Sequence, residues 1–120
     1  MKRYVVSLGS NVASAKEEID CAIEYLKGIC TSAQASSVYT TPSIRGDGVI
    51  YHNAVLSGCF SADAVELNRL CKDYEARRGR LHTKGAPVVI DIDVVIADDT
   101  ILRPADYAQD YFTRGYNELS

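Results

Sequence analysis

The chain is short of every feature that would place it in a membrane, outside the cell or on a polynucleotide. No apolar run approaches the roughly 18–20 residues of a membrane span, so no membrane partner is expected. The opening Met1-Lys2-Arg3-Tyr4 lacks the apolar stretch and cleavage site of a signal peptide, and a cytoplasmic location is expected. Positive charge is not in excess: 13 basic against 16 acidic residues leave −3, with a sequence pI near 5.3. That excludes the broad basic surface of a nonspecific nucleic-acid binder, but not a small arginine cluster aimed at one phosphorylated ligand. There is no GxxxxGK[ST] phosphate loop and no GxGxxG. Histidine is scarce, and neither His52 nor His82 sits near an evident nucleophile, so a Ser-His-Asp or Cys-His arrangement has no support. Cys21, Cys30, Cys59 and Cys71 show no CxxC spacing and no neighbouring histidine, which argues against zinc. They are expected to be reduced thiols packed as small core hydrophobes.

What is present is an ordinary globular composition, 47% hydrophobic and 24% charged over 120 residues. That is one core, hence a single domain over 1–120. Tyr4 to Leu8 is a β-branched run ended by Gly9-Ser10-Asn11, a strand and turn. Ser14 with Glu17 reads as a capping box, and Ile19, Ile23, Leu26 and Cys30 recur at helical spacing, predicting an amphipathic helix over 14–29. Residues 33–40 predict a strand stopped by Pro42, 43–48 a loop, and 49–60 a longer strand forming a hairpin with 33–40. Asp63 and Glu66 suggest a second cap. Leu67, Leu70, Cys71 and Tyr74 place a helix at about 62–77, and Gly79 fits a left-handed C-terminus. A polar loop over 80–87 precedes Val88 to Ile96, the strongest strand, and 97–120 is read as irregular. The order β-α-β-β-α-β predicts an α+β, ferredoxin-like plan, an antiparallel sheet with helices packed on one face.

Asp91 and Asp93 are the most informative residues. At i and i+2 of a strand they share a face with Val89 and Val95, while Ile90, Ile92 and Val94 face the core. Two neighbouring carboxylates need a positive partner, and a hard cation such as Mg²⁺ takes carboxylate oxygens while keeping positions for water and phosphate. Arg77, Arg78, Arg80 and Lys84, on the helix end and loop before that strand, add guanidinium forks suited to phosphate oxygens. The plainer reading of the group is a helix C-terminus complemented by positive charge. Arg103 and Arg114 add two more cations beyond the strand. Tyr51 and Asn53, also at i and i+2, can stack on and hydrogen-bond a flat heterocycle, although a partly buried Tyr–Asn pair is the commoner use of that spacing.

Gly9-Ser10-Asn11, Tyr39-Thr40-Thr41-Pro42, Tyr51 to Val55, Glu75 with Arg78-Gly79-Arg80, and Ile90-Asp91-Ile92-Asp93 resemble, in that order, the 6-hydroxymethyl-7,8-dihydropterin pyrophosphokinase family. The resemblance runs from residue 4 to about 116. It implies transfer of the terminal pyrophosphoryl group of ATP to the hydroxymethyl of a reduced pterin, within folate biosynthesis. It also implies two Mg²⁺ ions held by Asp91 and Asp93, which with Arg80 make the expected catalytic set. ATP contacts are implied at Glu75, Arg80, Arg103 and Arg114, to which Lys84 is added from the basic loop. The pterin pocket is implied at Thr41, Pro42, Ile44, Tyr51 and Asn53, with Tyr116 stacking on the ring.

The chain also departs from the family's pattern. Its loop between the Gly-Arg pair and Asp91 is about two residues shorter, it has no tryptophan, and Val88 follows Pro87 where an arginine is usual. Ala108 stands where the family has histidine, and little of the family's C-terminal segment follows Tyr116. These differences raise a second expectation: a catalytically impaired relative that acts as a pterin- or nucleotide-binding module.

Overall fold

The computed structural model describes residues 1–119. Strand β1 (Lys2–Ser10) leads to helix α1 (Ala15–Lys27), then to β2 (Thr31–Ala35), β3 (Tyr39–Pro42) and β4 (Ile50–Phe60). Helix α2 (Ala64–Arg77) precedes β5 (Asp91–Ala97), β6 (Thr100–Ile101) and two short helices, α3 (Pro104–Tyr107) and α4 (Asp110–Tyr116). The strands form one antiparallel sheet in the order β2-β4-β1-β5-β6, with β3 also on β4.

The apolar spacing of the two long helices works as expected. Ile19, Ala22, Ile23 and Leu26 of α1 and Leu67, Cys71 and Tyr74 of α2 pack against Tyr4, Val6, Leu8, Leu56, Ile92 and Val94 of the sheet. The Asp63 carboxylate caps α2 by accepting from Glu66 N at 2.8 Å, and Gly79 closes it at φ +89°, a conformation that a Cβ would strain. Ser14 does not form the predicted box. Its side chain makes no capping bond, and its carbonyl accepts from Glu18 N instead.

Four further expectations need correction. The predicted 33–40 strand is two strands, because Ser36 interrupts the ladder. Ser36 N donates to Val55 O while Ser36 Oγ accepts from Val55 N, and the register slips by one residue between Ala35 and Tyr39. The last long strand begins at Asp91, since the Val88 backbone is taken by the Asn11 turn: Val88 N donates to Asn11 Oδ1 at 2.7 Å, and Val88 O accepts from Asn11 N. The stretch after 97 is ordered as β6, α3 and α4, and these short helices cover the sheet face away from α1 and α2. Phe112 is fully buried there against Val5, Val55, Val95 and Ile96. A bulge in the β1–β5 register sets Val95 and Ile96 together on that face, which strict alternation would forbid. Finally, all four cysteines are free, but only Cys71 is buried and Cys21 is exposed.

Candidate functional site

The register of three strands brings the informative residues into one row. Asn53 of β4 pairs with Gly9 of β1, and Gly9 pairs with Asp91 of β5, while in the next row Val55 opposes Ser7 and Ser7 opposes Asp93. Directly opposed residues share a face, so Asn53, Asp91 and Asp93 look out from the side opposite α1 and α2. Gly9 makes the floor between them. The result is a cleft of about 180 Å³ lined by Thr41, Pro42, Ile44, Tyr51 and Asn53 on one side and Asp91 and Asp93 on the other.

The polar end near Asn53 is held rigidly. Asn53 is buried and donates through Nδ2 to Thr41 Oγ1 at 2.8 Å, across the β3–β4 pair. Ile44 stands on the rim, 71% exposed. This is where an apolar side chain on a loop can fold over a flat ligand.

The acidic end owes its form to an open sheet edge. Strand β6 pairs only with Ile96 and Ala97, so the outer backbone groups of β5 near Asp91 have no strand partner. Helix α2 and the loop that follows it supply side chains in place of one. Ile92 N donates to Glu75 Oε2 at 2.8 Å, Lys72 Nζ donates to Ile92 O at 2.8 Å, and Arg80 Nη1 donates to Ile90 O at 3.0 Å. These groups also carry charge. Lys72 lies 2.9 Å from Glu75 Oε2, 3.3 Å from Asp93 and 3.6 Å from Asp91. Arg80 lies 3.3 Å from Asp91, and Arg103 lies 3.9 Å from Asp93.

Glu75, Asp91 and Asp93 therefore face three cations, of which Arg103 is shared with a fourth carboxylate, Asp106. Burial, with the Asp91 charge beside it, pushes Asp93 up to about 6. Burial alone would lower the Lys72 ammonium, but its bond to Glu75 and the nearby aspartates raise it, so it is charged. Two buried atoms at this end have no hydrogen-bond partner, Glu75 Oε1 and Arg80 Nε; Arg80 Nη1 reaches that oxygen at 3.5 Å, an ion-pair distance only. Among the described residues no group of three or more His, Cys, Asp or Glu forms a metal cage. Two carboxylates facing a cleft are nevertheless the donor set that suits Mg²⁺, which draws its remaining ligands from water and phosphate.

The other expected residues are distributed differently. Glu75 is 1% exposed and serves the backbone of β5, so its carboxylate does not open on the cleft. Lys84 is exposed on the loop. Arg114 donates to Thr40 O and lies 4.7 Å over the Tyr39 ring. Tyr116 is away from the cleft, stacked on Phe112 at 5.2 Å. Tyr111 takes up the cleft wall instead, its hydroxyl bonded to Asp106, which also pairs with Arg103. Nor do Arg77 and Arg78 face the site: Arg77 lies over Tyr25 and Tyr74, and Arg78 forks onto Glu18.

Lys72, Asp106 and Tyr111 are the residues that sequence reasoning missed. Lys72 was accessible, since it stands three residues before Glu75 on one helix face. Asp106 and Tyr111 lie in a tail without apolar periodicity and carried no such signal.

No curated protein matches the chain. The model of one family, described as 7,8-dihydro-6-hydroxymethylpterin-pyrophosphokinase, matches residues 5–119, nearly the whole chain. That span contains both walls of the cleft, and the chain belongs to this family of pyrophosphokinases.

Proposed function

We propose that this chain transfers pyrophosphate from ATP to the hydroxymethyl group of 6-hydroxymethyl-7,8-dihydropterin. The family implies that reaction. The observation that carries the reading is the strand register that sets Asn53 and the Asp91–Asp93 pair along one cleft, so one ligand's ring and another's phosphates meet between them. The sheet order, with α1 and α2 on one face, supports a ferredoxin-like plan beneath it.

In this reading Thr41, Asn53 and Tyr51 hold the pterin's polar edge and ring, with Pro42 and Ile44 closing its apolar side. Asp91 and Asp93 would hold Mg²⁺, which when bound offsets charge on the phosphates. Arg80, Arg103, Lys84 and Arg114 are the cations available to the ATP phosphates, with Arg80 and Arg103 already beside the aspartates. The pterin hydroxyl oxygen forms a bond to the β-phosphorus, the bond to the α–β bridging oxygen breaks, AMP leaves and the hydroxyl proton is lost. Tyr116 enters this scheme only if α4 shifts, since its ring is committed to Phe112. A cytoplasmic location accords with this role, and no helix among the described residues is long and apolar enough to cross a membrane.

One observation favours the second reading, a binding module without turnover. Val88, standing where the family has an arginine, is buried with its backbone locked to Asn11, so that position offers no cation to a phosphate. Incubation with ATP, Mg²⁺ and hydroxymethyl-dihydropterin separates the two. AMP formation that Asp93→Ala abolishes supports the enzyme. Pterin binding without AMP supports the module, and failure to bind either ligand overturns both.

A further inference from the structure

The ammonium of Lys72 occupies a place where four oxygens converge. Glu75 Oε2 lies at 2.9 Å, Ile92 O at 2.8 Å, Asp93 Oδ1 at 3.3 Å and Asp91 Oδ1 at 3.6 Å. An all-oxygen shell of carboxylates and a carbonyl is what a hard cation takes. Here a side chain fills it, anchored by the helical pair with Glu75 and by the open edge of β5. Lys72, Arg80 and Arg103 stand against Glu75, Asp91, Asp93 and Asp106, leaving a surplus of one negative charge, too little to draw two dications.

We infer that Lys72 is a resident cation that takes the place of one divalent ion at the Asp93 side of the pair, so that the chain loads one divalent ion per nucleotide where its family's chemistry would use two. The inference rests on the ATP-using reading above. The two carboxylates differ in a way that gives each its own role. Both line the cleft, but Asp93 is 16% exposed and hydrogen-bonded to Lys72, whereas Asp91 is 41% exposed. A dication on the Asp93 oxygen that meets Lys72 would approach the ammonium at contact distance in a half-buried site, where like charges repel strongly. Asp91 Oδ1 also meets Arg80 at 3.3 Å and Lys72 at 3.6 Å, but this carboxylate is the more exposed of the two and can be reached by a dication that brings phosphate ligands with it. The resident charge also holds the outer edge of β5 in place before any ligand arrives.

Manganese, counted by electron paramagnetic resonance, tests this on the full chain. With saturating α,β-methylene-ATP, the wild type should bind one Mn²⁺ per nucleotide, Lys72→Arg also one, and Lys72→Gln two. Mn²⁺ titrated alone should bind Lys72→Gln at least tenfold more tightly than the wild type. Circular dichroism verifies that the variants are folded. Two ions per nucleotide in the wild type, a measurement that needs no variant, overturns the inference, as does equal affinity of wild type and Lys72→Gln for Mn²⁺ alone. If the wild type binds no nucleotide, the ATP-using reading fails, and the titration with Mn²⁺ alone still decides the role of Lys72.

Discussion

Replacing Glu75 by alanine should destabilise the protein by an amount that can be worked from its contacts. The carboxylate is 1% exposed and accepts from Ile92 N at 2.8 Å and Lys72 Nζ at 2.9 Å. Its removal leaves the Ile92 N–H buried without an acceptor, about 1–3 kcal/mol, and deletes a bond between charged groups, about 1.5–3 kcal/mol. The second figure belongs at its low end, because Lys72 is 37% exposed and keeps its bonds to Ile92 O and Asp93. Relief of the buried carboxylate's desolvation offsets part of the sum, leaving about 3 kcal/mol. For a urea slope near 1.5 kcal/mol per molar, the unfolding midpoint should fall by about 2 M. Glu75→Gln keeps an oxygen for Ile92 N–H and loses only the charge, so it should lose about 1 kcal/mol, or less than 1 M. Urea titration followed by circular dichroism measures both. An alanine variant within about 1 kcal/mol of wild type would refute the edge-capping role. Equal loss in both variants would refute the primacy of the Ile92 bond.

Arg80→Ala should cut AMP formation by about a hundredfold while ATP affinity moves modestly, because charge stabilisation confined to the transition state appears in kcat; undiminished turnover would shift that role to another cation. Asn53→Ala should weaken pterin binding by about 1–3 kcal/mol in calorimetry, and unchanged affinity would remove Asn53 from the pocket. In Gly115→Ala the new Cβ would sit 2.6 Å from Tyr39 Oη and Val55 Cγ2, too close for either to remain in place. The variant should lose about 1–3 kcal/mol of stability, visible as a fall in Tm, and an unchanged Tm would show that α4 is loosely seated. Burial pushes Tyr39 up to about 12, from 10. The fold thus favours its protonated form, so stability should fall as pH rises from 10 to 12, and Tyr39→Phe should remove that part of the alkaline loss in urea midpoints.

The two long helices were legible in the sequence because burial and backbone period coincide there. Ile19, Ile23 and Leu26, and Leu67, Cys71 and Tyr74, recur at intervals that only a helix places on one side, and all are buried. Ile92 and Val94 announced the core side of β5 in the same way, and so fixed the shared face of Asp91 and Asp93. The Asp63 cap and the Gly79 terminus are local devices, set by residues within a turn of each other. What lay beyond reach depends on partners distant in sequence. The Ser36 break between β2 and β3 exists because its hydroxyl meets Val55 N on β4. The seating of α4 depends on Tyr39, whose hydroxyl donates to Tyr111 O and accepts from Gly115 N, more than 70 residues away. At the site, the sequence supplied the two aspartates and the Tyr–Asn pair. Only the tertiary structure put Asn53, Gly9 and Asp91 into one row, sent Arg77 and Arg78 elsewhere, and set Lys72 among the carboxylates. The physical reason is that an uncovered strand edge must satisfy its backbone groups, and which side chains do so follows from the helix that happens to lie beside it.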